Sequence, residues 1–172
     1  MRGGGDGSEE EMLPEEEVNE MRKWLQALNS LDTYITDHIE GNGEATLRGR
    51  QFTVFEDIRE FLEHGGSEGY VKLPTGVGKT VLFTELVEAM DLRTLIVVPT
   101  RLLIGQTEEK IEQFAPDLEA GKVYARAKQY GRQVTIITYQ SFVYQLTSGT
   151  LKPEDYDCLI LDEAHVGLSK NR

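Results

Sequence analysis

The stretch Leu73-Pro74-Thr75-Gly76-Val77-Gly78-Lys79-Thr80 decides the fold of this chain. It follows a short run, Gly69-Tyr70-Val71-Lys72, and precedes a helical pattern over residues 81–90, so the order predicts a strand, a glycine-containing loop and a helix. Such a loop exposes successive backbone N–H groups, and the helix behind it adds the positive end of its dipole. The stretch therefore predicts a cradle for a polyphosphate.

The residue types in this loop suit that role. Gly76 and Gly78 allow backbone conformations that a Cβ would oppose, and they let phosphates come close. Lys79 can reach the β- and γ-phosphates, and the Thr80 hydroxyl can bind Mg²⁺. Leu73 stands where the strict pattern has glycine, and a glycine turn with an incidental lysine is the alternative interpretation. The predicted nucleotide contacts here are Thr75, Gly76, Val77, Gly78, Lys79 and Thr80.

Composition indicates a globular chain with one domain. The 172 residues are 39% hydrophobic and 28% charged, which is ordinary for a folded domain with a core. No apolar run approaches the roughly 20 residues that span a bilayer, and the first residues do not resemble a secretory signal. The single cysteine, Cys158, excludes an internal disulfide and a cysteine-cluster metal site. We therefore expect a cytoplasmic protein without a membrane partner.

The net charge of −12 is unevenly placed. Residues 1–20 hold eight acidic residues and one basic residue, which is 1 − 8 = −7 and leaves −5 for residues 21–172. Because a globally acidic chain binds nucleic acid poorly without specific contacts, any such binding must come from a local arrangement of groups.

The chain divides into three predicted parts. Residues 1–17 are rich in glycine and then glutamate, and we expect a disordered acidic tail. Residues 18–45 form an amphipathic helix and a turn, and residues 46–172 form the main domain. The predicted apolar stripe of the helix, which should pack on the outside of the domain, is Val18, Met21, Trp24 or Leu25, Leu28, Leu31, Ile35 and Ile39.

Within the main domain, predicted strands and helices alternate. A helix over 47–64 comes first. Strands are expected near 69–73, 94–98, 121–124, 134–138 and 157–162, and helices near 79–90, 101–114 and 139–147. Apolar strands that alternate with helices predict an α/β fold with a buried, mostly parallel sheet.

A second chemical signal follows the last predicted strand. There Cys158-Leu159-Ile160-Leu161 leads directly into Asp162 and Glu163. Ligands gather at the carboxyl ends of parallel strands, so we expect Asp162 at the same edge as the phosphate loop. Asp162 could then hold Mg²⁺ together with Thr80, and Glu163 could orient and deprotonate an attacking water. The loop and the carboxylate pair together predict nucleoside triphosphate binding.

Five short segments, in order, resemble the motifs of one family of motor proteins. Pro74 to Thr80 is similar to motif I of superfamily 2 helicases and translocases of the DEAD/DEAH type, and Asp162-Glu163-Ala164-His165 is motif II letter for letter. Pro99-Thr100-Arg101-Leu102-Leu103, with Gln106, resembles motif Ia, and Thr138-Tyr139-Gln140-Ser141 resembles the following Ib or Ic segment. Leu47-Arg48-Gly49-Arg50-Gln51 resembles the upstream adenine-reading element, except that Gly49 replaces a common proline. Over about residues 46–169, the chain looks like the first P-loop, RecA-like domain of such a motor, with an N-terminal helical extension.

The resemblance implies a role for each matched residue. Gln51 would hydrogen-bond the adenine edge and favour ATP, and His165 would couple the nucleotide site to a later motif. The contacts implied to the backbone of one nucleic-acid strand, without reading of its sequence, are Thr100, Arg101, Gln106 and Thr138. Simpler interpretations stay open: Gln51 as a helix-surface residue, Thr100 as a helix N-cap, and His165 as a locally bonded histidine.

The resemblance also implies parts that this sequence does not contain. The family has a Ser-Ala-Thr motif III and a second RecA-like domain with arginine fingers. We therefore expect a fragment of a longer protein that is inactive as an ATPase by itself. Its sheet should either have a gap where the motif III strand belongs or have the flanking strands paired anew. The leading hypothesis is an ATP-dependent helicase or translocase on DNA or RNA, with DNA slightly favoured. The alternatives are a non-catalytic nucleotide-binding module that works through a partner, and another P-loop enzyme such as a small kinase.

Overall fold

A computed structural model describes residues 13–40, 49–74, 76–125, 127–130 and 132–164, with the backbone alone for residues 38–40 and 49–51. Residues 1–12 of the predicted acidic tail lie outside the described residues. The helices are α1 (Glu15–Glu40), α2 (Gly49–Glu63), α3 (Lys79–Met90), α4 (Arg101–Phe114) and α5 (Tyr139–Thr147), with a short 3-10 turn at Pro153–Asp155. The strands are β1 (Thr94–Val98), β2 (Ala120–Tyr124), β3 (Ala127–Lys128), β4 (Val134–Thr138) and β5 (Cys158–Leu161).

The five strands form one sheet in the order β3-β2-β4-β1-β5. Every neighbouring pair is parallel except β2 and β3. Every residue of β1 and β4 is buried, as the apolar runs in both strands predict. The predicted α/β fold with a mostly parallel sheet flanked by helices is confirmed.

Helices cover both faces of the sheet. Phe83 and Val87 of α3 and Ile104 and Ile111 of α4 pack with apolar residues of β1 and β4 on one face. On the other face, α5 contributes Tyr139 and Phe142 to a core around Leu95, Val97 and Ile137. No helix in the described ranges is both long enough and apolar enough to cross a membrane.

Helix α1 packs on the outside of this domain, as expected. Leu31 and Phe55 are fully buried where α1 meets α2 and α3. The ring of Tyr34 stacks on Phe55 with 5.6 Å between centroids, and its hydroxyl donates to Glu85 of α3. The N-terminal extension therefore belongs to the same core as the main domain.

Two details of the α1 prediction are wrong. The helix begins at Glu15, so residues 15–17 are helical and do not belong to a disordered tail. Met21, a member of the predicted stripe, is 48% exposed, whereas Ala27 is buried. Of the alternatives Trp24 and Leu25, Trp24 packs against the core and Leu25 is exposed. The buried part of the stripe is shorter than the predicted one because α1 packs on the core chiefly through its second half, and the side chain of Ile39 lies outside the described residues.

The predicted strand at 69–73 is also wrong. These residues have no regular structure, and Tyr70 and Val71 are 76% and 46% exposed. A strand needs a partner for its backbone groups, and no described strand lies on the outer side of β5. The side chains of Leu159 and Leu161 on β5 are accordingly 51% and 42% exposed. Among the described strands, β5 is therefore an edge strand whose one neighbour is β1.

Candidate active site

The predicted phosphate loop has both glycines in the left-handed region and a helix behind it, but residues 69–73 before it form no strand. Helix α3 begins at Lys79, and its N-cap, Gly78, lies in the left-handed region with φ of +86°. Gly76 has a φ of +82°, so both glycines adopt a conformation that other residues rarely adopt. Thr75 lies outside the described residues. A helix start behind two such glycines can present backbone N–H groups to an anion.

The carboxylate pair lies beside this loop, as expected, although no strand leads into the loop in the described residues. Asp162 directly follows β5, and its backbone N–H donates to the carbonyl of Val97 on β1 at 2.9 Å. The Nζ atom of Lys79 is 3.4 Å from Oε1 of Glu163. Both side chains are a little over one-third exposed. The fold therefore joins two segments that are 84 residues apart in the sequence.

The electrostatics at Asp162 suit a bound cation. Burial of its carboxyl group raises its pKa, and the neighbouring Glu163 charge raises it further. The Glu163 backbone N–H and the Lys79 charge act in the opposite direction. A divalent cation would relieve this destabilisation, because it favours the ionised carboxylate.

The available oxygen ligands suit Mg²⁺, which takes few protein ligands, better than a metal that is held by protein ligands alone. The part of the chain that the structure describes has no group of three or more histidine, cysteine, aspartate or glutamate residues that could hold a metal. Mg²⁺ usually takes one or two protein ligands and completes its shell with phosphates and water. Thr80 and Asp162 provide that number of oxygen ligands.

The turn after β5 has an uncommon backbone. Glu163 has a φ of +51°, in the left-handed region where a residue with a side chain is disfavoured. The phenol of Tyr139, the first residue of α5, donates to the backbone carbonyl of Asp162 at 3.0 Å. Burial raises the pKa of Tyr139, and the charges of Asp162 and Glu163 raise it further, so the phenol stays protonated as a donor.

The predicted motif Ia residues lie at the same edge of the sheet. The Thr100 hydroxyl accepts from the backbone N–H of Leu103 at 3.4 Å, so the N-cap interpretation is confirmed. Arg101 is exposed, and its guanidinium lies 5.6 Å from the ring centroid of Tyr124, at the end of β2. Gln106 is exposed further along α4.

Thr138 reaches this edge as well, but its hydroxyl is already engaged. It stands opposite Val98 in the register of β4 and β1 and is only 7% exposed. Its hydroxyl accepts from the Ser141 backbone N–H at 3.3 Å and donates to the Ser141 hydroxyl at 3.1 Å, which caps α5. A nucleic-acid contact of Thr138 would therefore involve its backbone or a rearranged cap.

Two further predicted residues cannot be placed in the site. Gln51 lies in α2, but its side chain is outside the described residues, and His165 is outside them altogether. Conversely, Tyr139 and Tyr124 gained no role from the sequence. The place of Tyr139 within the Thr138–Ser141 motif could have indicated a role for it. Tyr124 is an aromatic residue at the end of a strand, and nothing in the sequence marks it.

Two known proteins are similar in sequence to part of this chain. DNA 3'-5' translocase XPB2 of Sulfurisphaera tokodaii is 36% identical over 110 residues, which is 64% of this chain and 24% of that protein. Putative ATP-dependent RNA helicase QP509L of African swine fever virus is 28% identical over 100 residues, which is 56% of this chain and 19% of that protein. The chain thus spans a quarter or less of the length of these relatives.

A solved structure and a family model also match this chain. The crystal structure of a hypothetical ATP-dependent RNA helicase from Sulfolobus tokodaii aligns with a TM-score of 0.49 and 19% identity, over 64% of this chain and 42% of that one. The family model described as type III restriction enzyme, res subunit, matches residues 44–171. That match includes the phosphate loop, the Asp162–Glu163 pair and all five strands, and it confirms the expected first RecA-like domain of a helicase or translocase. The chain therefore belongs to the type III restriction enzyme res subunit family.

Proposed function

We propose that this chain is the ATP-binding part of a motor that couples ATP hydrolysis to movement on DNA or RNA. One observation carries the proposal: Lys79, at the start of α3, and Glu163, after β5, lie 3.4 Å apart at the carboxyl edge of a parallel sheet. That edge is where such sheets bind nucleotides. The family, and two relatives named as a DNA translocase and an RNA helicase, support the same activity.

In this proposal the loop residues bind the triphosphate. The backbone of Thr75 to Gly78 surrounds the phosphates, Lys79 contacts the β- and γ-phosphates, and Gln51 contacts adenine. Mg²⁺ would be held by the Thr80 hydroxyl and the Asp162 carboxylate, and it would neutralise phosphate charge. Glu163 is the base that orients and deprotonates the attacking water.

The Lys79–Glu163 ion pair has a consequence for this mechanism. The two side chains are close enough that Glu163 and a triphosphate compete for the Lys79 ammonium. ATP binding then exchanges a carboxylate contact for a phosphate contact and leaves Glu163 to act on water. Replacement of Glu163 by glutamine removes the competing charge, so it should stop hydrolysis without weakening ATP binding.

The nucleic-acid strand would lie along the same edge. Thr100, Arg101, Gln106 and Thr138 are its proposed contacts, through phosphate oxygens and without reading of bases. DNA is the favoured substrate, because the relative with the higher identity is named as a DNA translocase. Since the net charge is −12, this local edge has to supply the attraction.

The complete activity is proposed for the full-length product of the gene. The relatives are about four to five times longer than the matched part, so we infer that a second RecA-like domain supplies the arginine fingers and completes the strand groove. An arginine finger is worth about 10³–10⁵ in rate in related phosphoryl-transfer enzymes. We therefore expect residues 1–172 by themselves to hydrolyse ATP negligibly, and we expect the full-length protein in the cytoplasm.

The test is ATP hydrolysis by the purified full-length product, with Mg²⁺, in the presence and absence of single-stranded DNA or RNA. We expect hydrolysis that nucleic acid stimulates and that Glu163→Gln abolishes, with ATP affinity retained or improved. Glu154→Gln, which removes the same charge from an exposed turn, is the matched control and should behave as wild type. Stimulated hydrolysis that survives Glu163→Gln would refute the assignment of the base.

A further inference from the structure

The hydrogen bond of Tyr139 connects two segments of the proposed motor that belong to different motifs, the segment at Thr138 and the Asp162–Glu163 turn. Tyr139 immediately follows Thr138, at the start of the segment proposed to contact nucleic acid. Its phenol donates to the carbonyl oxygen of Asp162 at 3.0 Å, in a partly buried position. A single side chain thus connects the proposed strand-binding segment with the turn that holds Asp162, the proposed Mg²⁺ ligand, and Glu163, the proposed base.

The carbonyl oxygen that Tyr139 contacts controls the orientation of the peptide group before Glu163. The Asp162 carbonyl belongs to the peptide group that links Asp162 to Glu163, so its orientation fixes the ψ of Asp162 and the φ of Glu163. That φ is +51°, a conformation that costs free energy and persists only where neighbouring contacts hold it. The Tyr139 phenol is such a contact, and the bond from the Asp162 N–H to Val97 is another.

The other end of the connection is firmly attached to α5. Thr138 caps the helix through two hydrogen bonds with Ser141, and these bonds couple Thr138 and Tyr139 to its first turn. A displacement of this turn by a bound strand would move the phenol, and with it the Asp162–Glu163 peptide group. A rotation of that group would redirect the Glu163 carboxylate relative to Lys79.

We propose that Tyr139 is a positioning residue that transmits strand binding at the start of α5 to the Asp162–Glu163 turn. This inference rests on the proposed function, because it needs both a bound strand and ATP hydrolysis. It goes beyond that function by naming the contact through which nucleic acid stimulates hydrolysis. Tyr139 touches neither ATP nor water in this role; it acts through the backbone carbonyl of Asp162.

The test compares Tyr139→Phe with wild type in the full-length gene product. Phenylalanine keeps the ring in the α5 core and removes only the donor. Loss of one such bond should lower the ratio of strand-stimulated to basal kcat about 3- to 10-fold. The KM for ATP should change by less than about two-fold, because the phosphate loop is untouched. Tyr144→Phe, on the same helix but 71% exposed, is the matched control and should keep the wild-type ratio.

Hydrogen exchange adds a readout at the turn itself. In Tyr139→Phe, a peptide that covers residues 158–164 should exchange faster, and a strand should no longer alter its exchange. An unchanged stimulation ratio in Tyr139→Phe overturns the proposal. So does an equal loss of basal and stimulated rates together with a lower Tm, which indicates a structural role only. If nucleic acid fails to stimulate wild type, the proposed function fails with it, so the two failures are distinguished by the wild-type protein.

Discussion

Replacement of Lys79 by alanine tests the phosphate loop most simply. The change removes the ammonium group and leaves the backbone N–H groups of the loop and helix α3 in place. We expect weaker binding of Mg-ATP, because Lys79 loses a charge-assisted contact to the phosphates. The fold should survive, since the side chain is 38% exposed and alanine is a good helix former.

The structure narrows the size of this effect. A hydrogen bond to a charged group contributes about 1.5–3 kcal/mol, which corresponds to roughly 10- to 150-fold in Kd. Partial exposure screens the Lys79 charge, and its 3.4 Å contact with Glu163 must be exchanged for the phosphate contact. Both effects favour the lower half of the range, so we expect about 10- to 40-fold weaker binding.

Isothermal titration of the chain with Mg-ATP measures this directly. Lys72→Ala is the matched control, because it removes the same charge from an exposed position before the loop. Lys72→Ala should change the Kd by less than about two-fold, since exposed charges are largely screened. Unchanged affinity in Lys79→Ala, or an equal loss in Lys72→Ala, would refute the loop as a specific phosphate site.

Two further predictions concern the core and the nucleic-acid edge. Leu31→Ala should lower the free energy of unfolding by about 2–5 kcal/mol in urea titrations, because Leu31 is fully buried. The control Leu25→Ala, at an exposed position of the same helix, should change it by less than about 0.5 kcal/mol. Equal changes in the two variants would mean that α1 is not packed on the domain. Arg101→Ala should weaken single-stranded DNA binding by the full-length product and reduce the slope of log K against log salt by about 0.7. Arg132→Ala, at the amino end of β4 and paired with Glu119 at 3.2 Å, should leave that slope unchanged, and an equal reduction in both variants would indicate non-specific attraction.

Much of the fold could be predicted because its signals are local. Helices α3, α4 and α5 have the predicted bounds, and Thr100 and Thr138 cap the last two. Two strands, β1 and β4, are apolar throughout and are buried throughout. Local sequence dictates such elements when propensity, caps and burial all agree.

The failures concern properties that depend on distant partners. Residues 69–73 read as a strand, but whether they pair depends on a neighbour that the described sheet does not provide. Met21 fits the helical period of α1, yet it is exposed because α1 packs on the core chiefly through its second half. The short strand β3 depends on its hairpin with β2 and has no apolar pattern of its own.

In the candidate site, too, some contacts could be predicted from the sequence and others could not. The approach of Lys79 to the carboxylate pair agrees with the expectation that both lie at the carboxyl edge of the sheet, although residues 69–73 form no strand before the loop. The bond from Tyr139 to the Asp162 carbonyl could not, because a backbone acceptor is the same at every residue and leaves no trace in the sequence. Likewise, the sequence did not reveal that Glu163 is the present partner of Lys79.

Movement along a strand is the central claim, and a displacement assay tests it most directly. The full-length product would be given single-stranded DNA, or RNA of matched sequence, with streptavidin bound to a biotin at one end. We predict that streptavidin is displaced with ATP but not with a non-hydrolysable analogue, and not by Glu163→Gln. Displacement that is independent of ATP hydrolysis, or ATP hydrolysis without displacement from either end of DNA or RNA, would contradict the account.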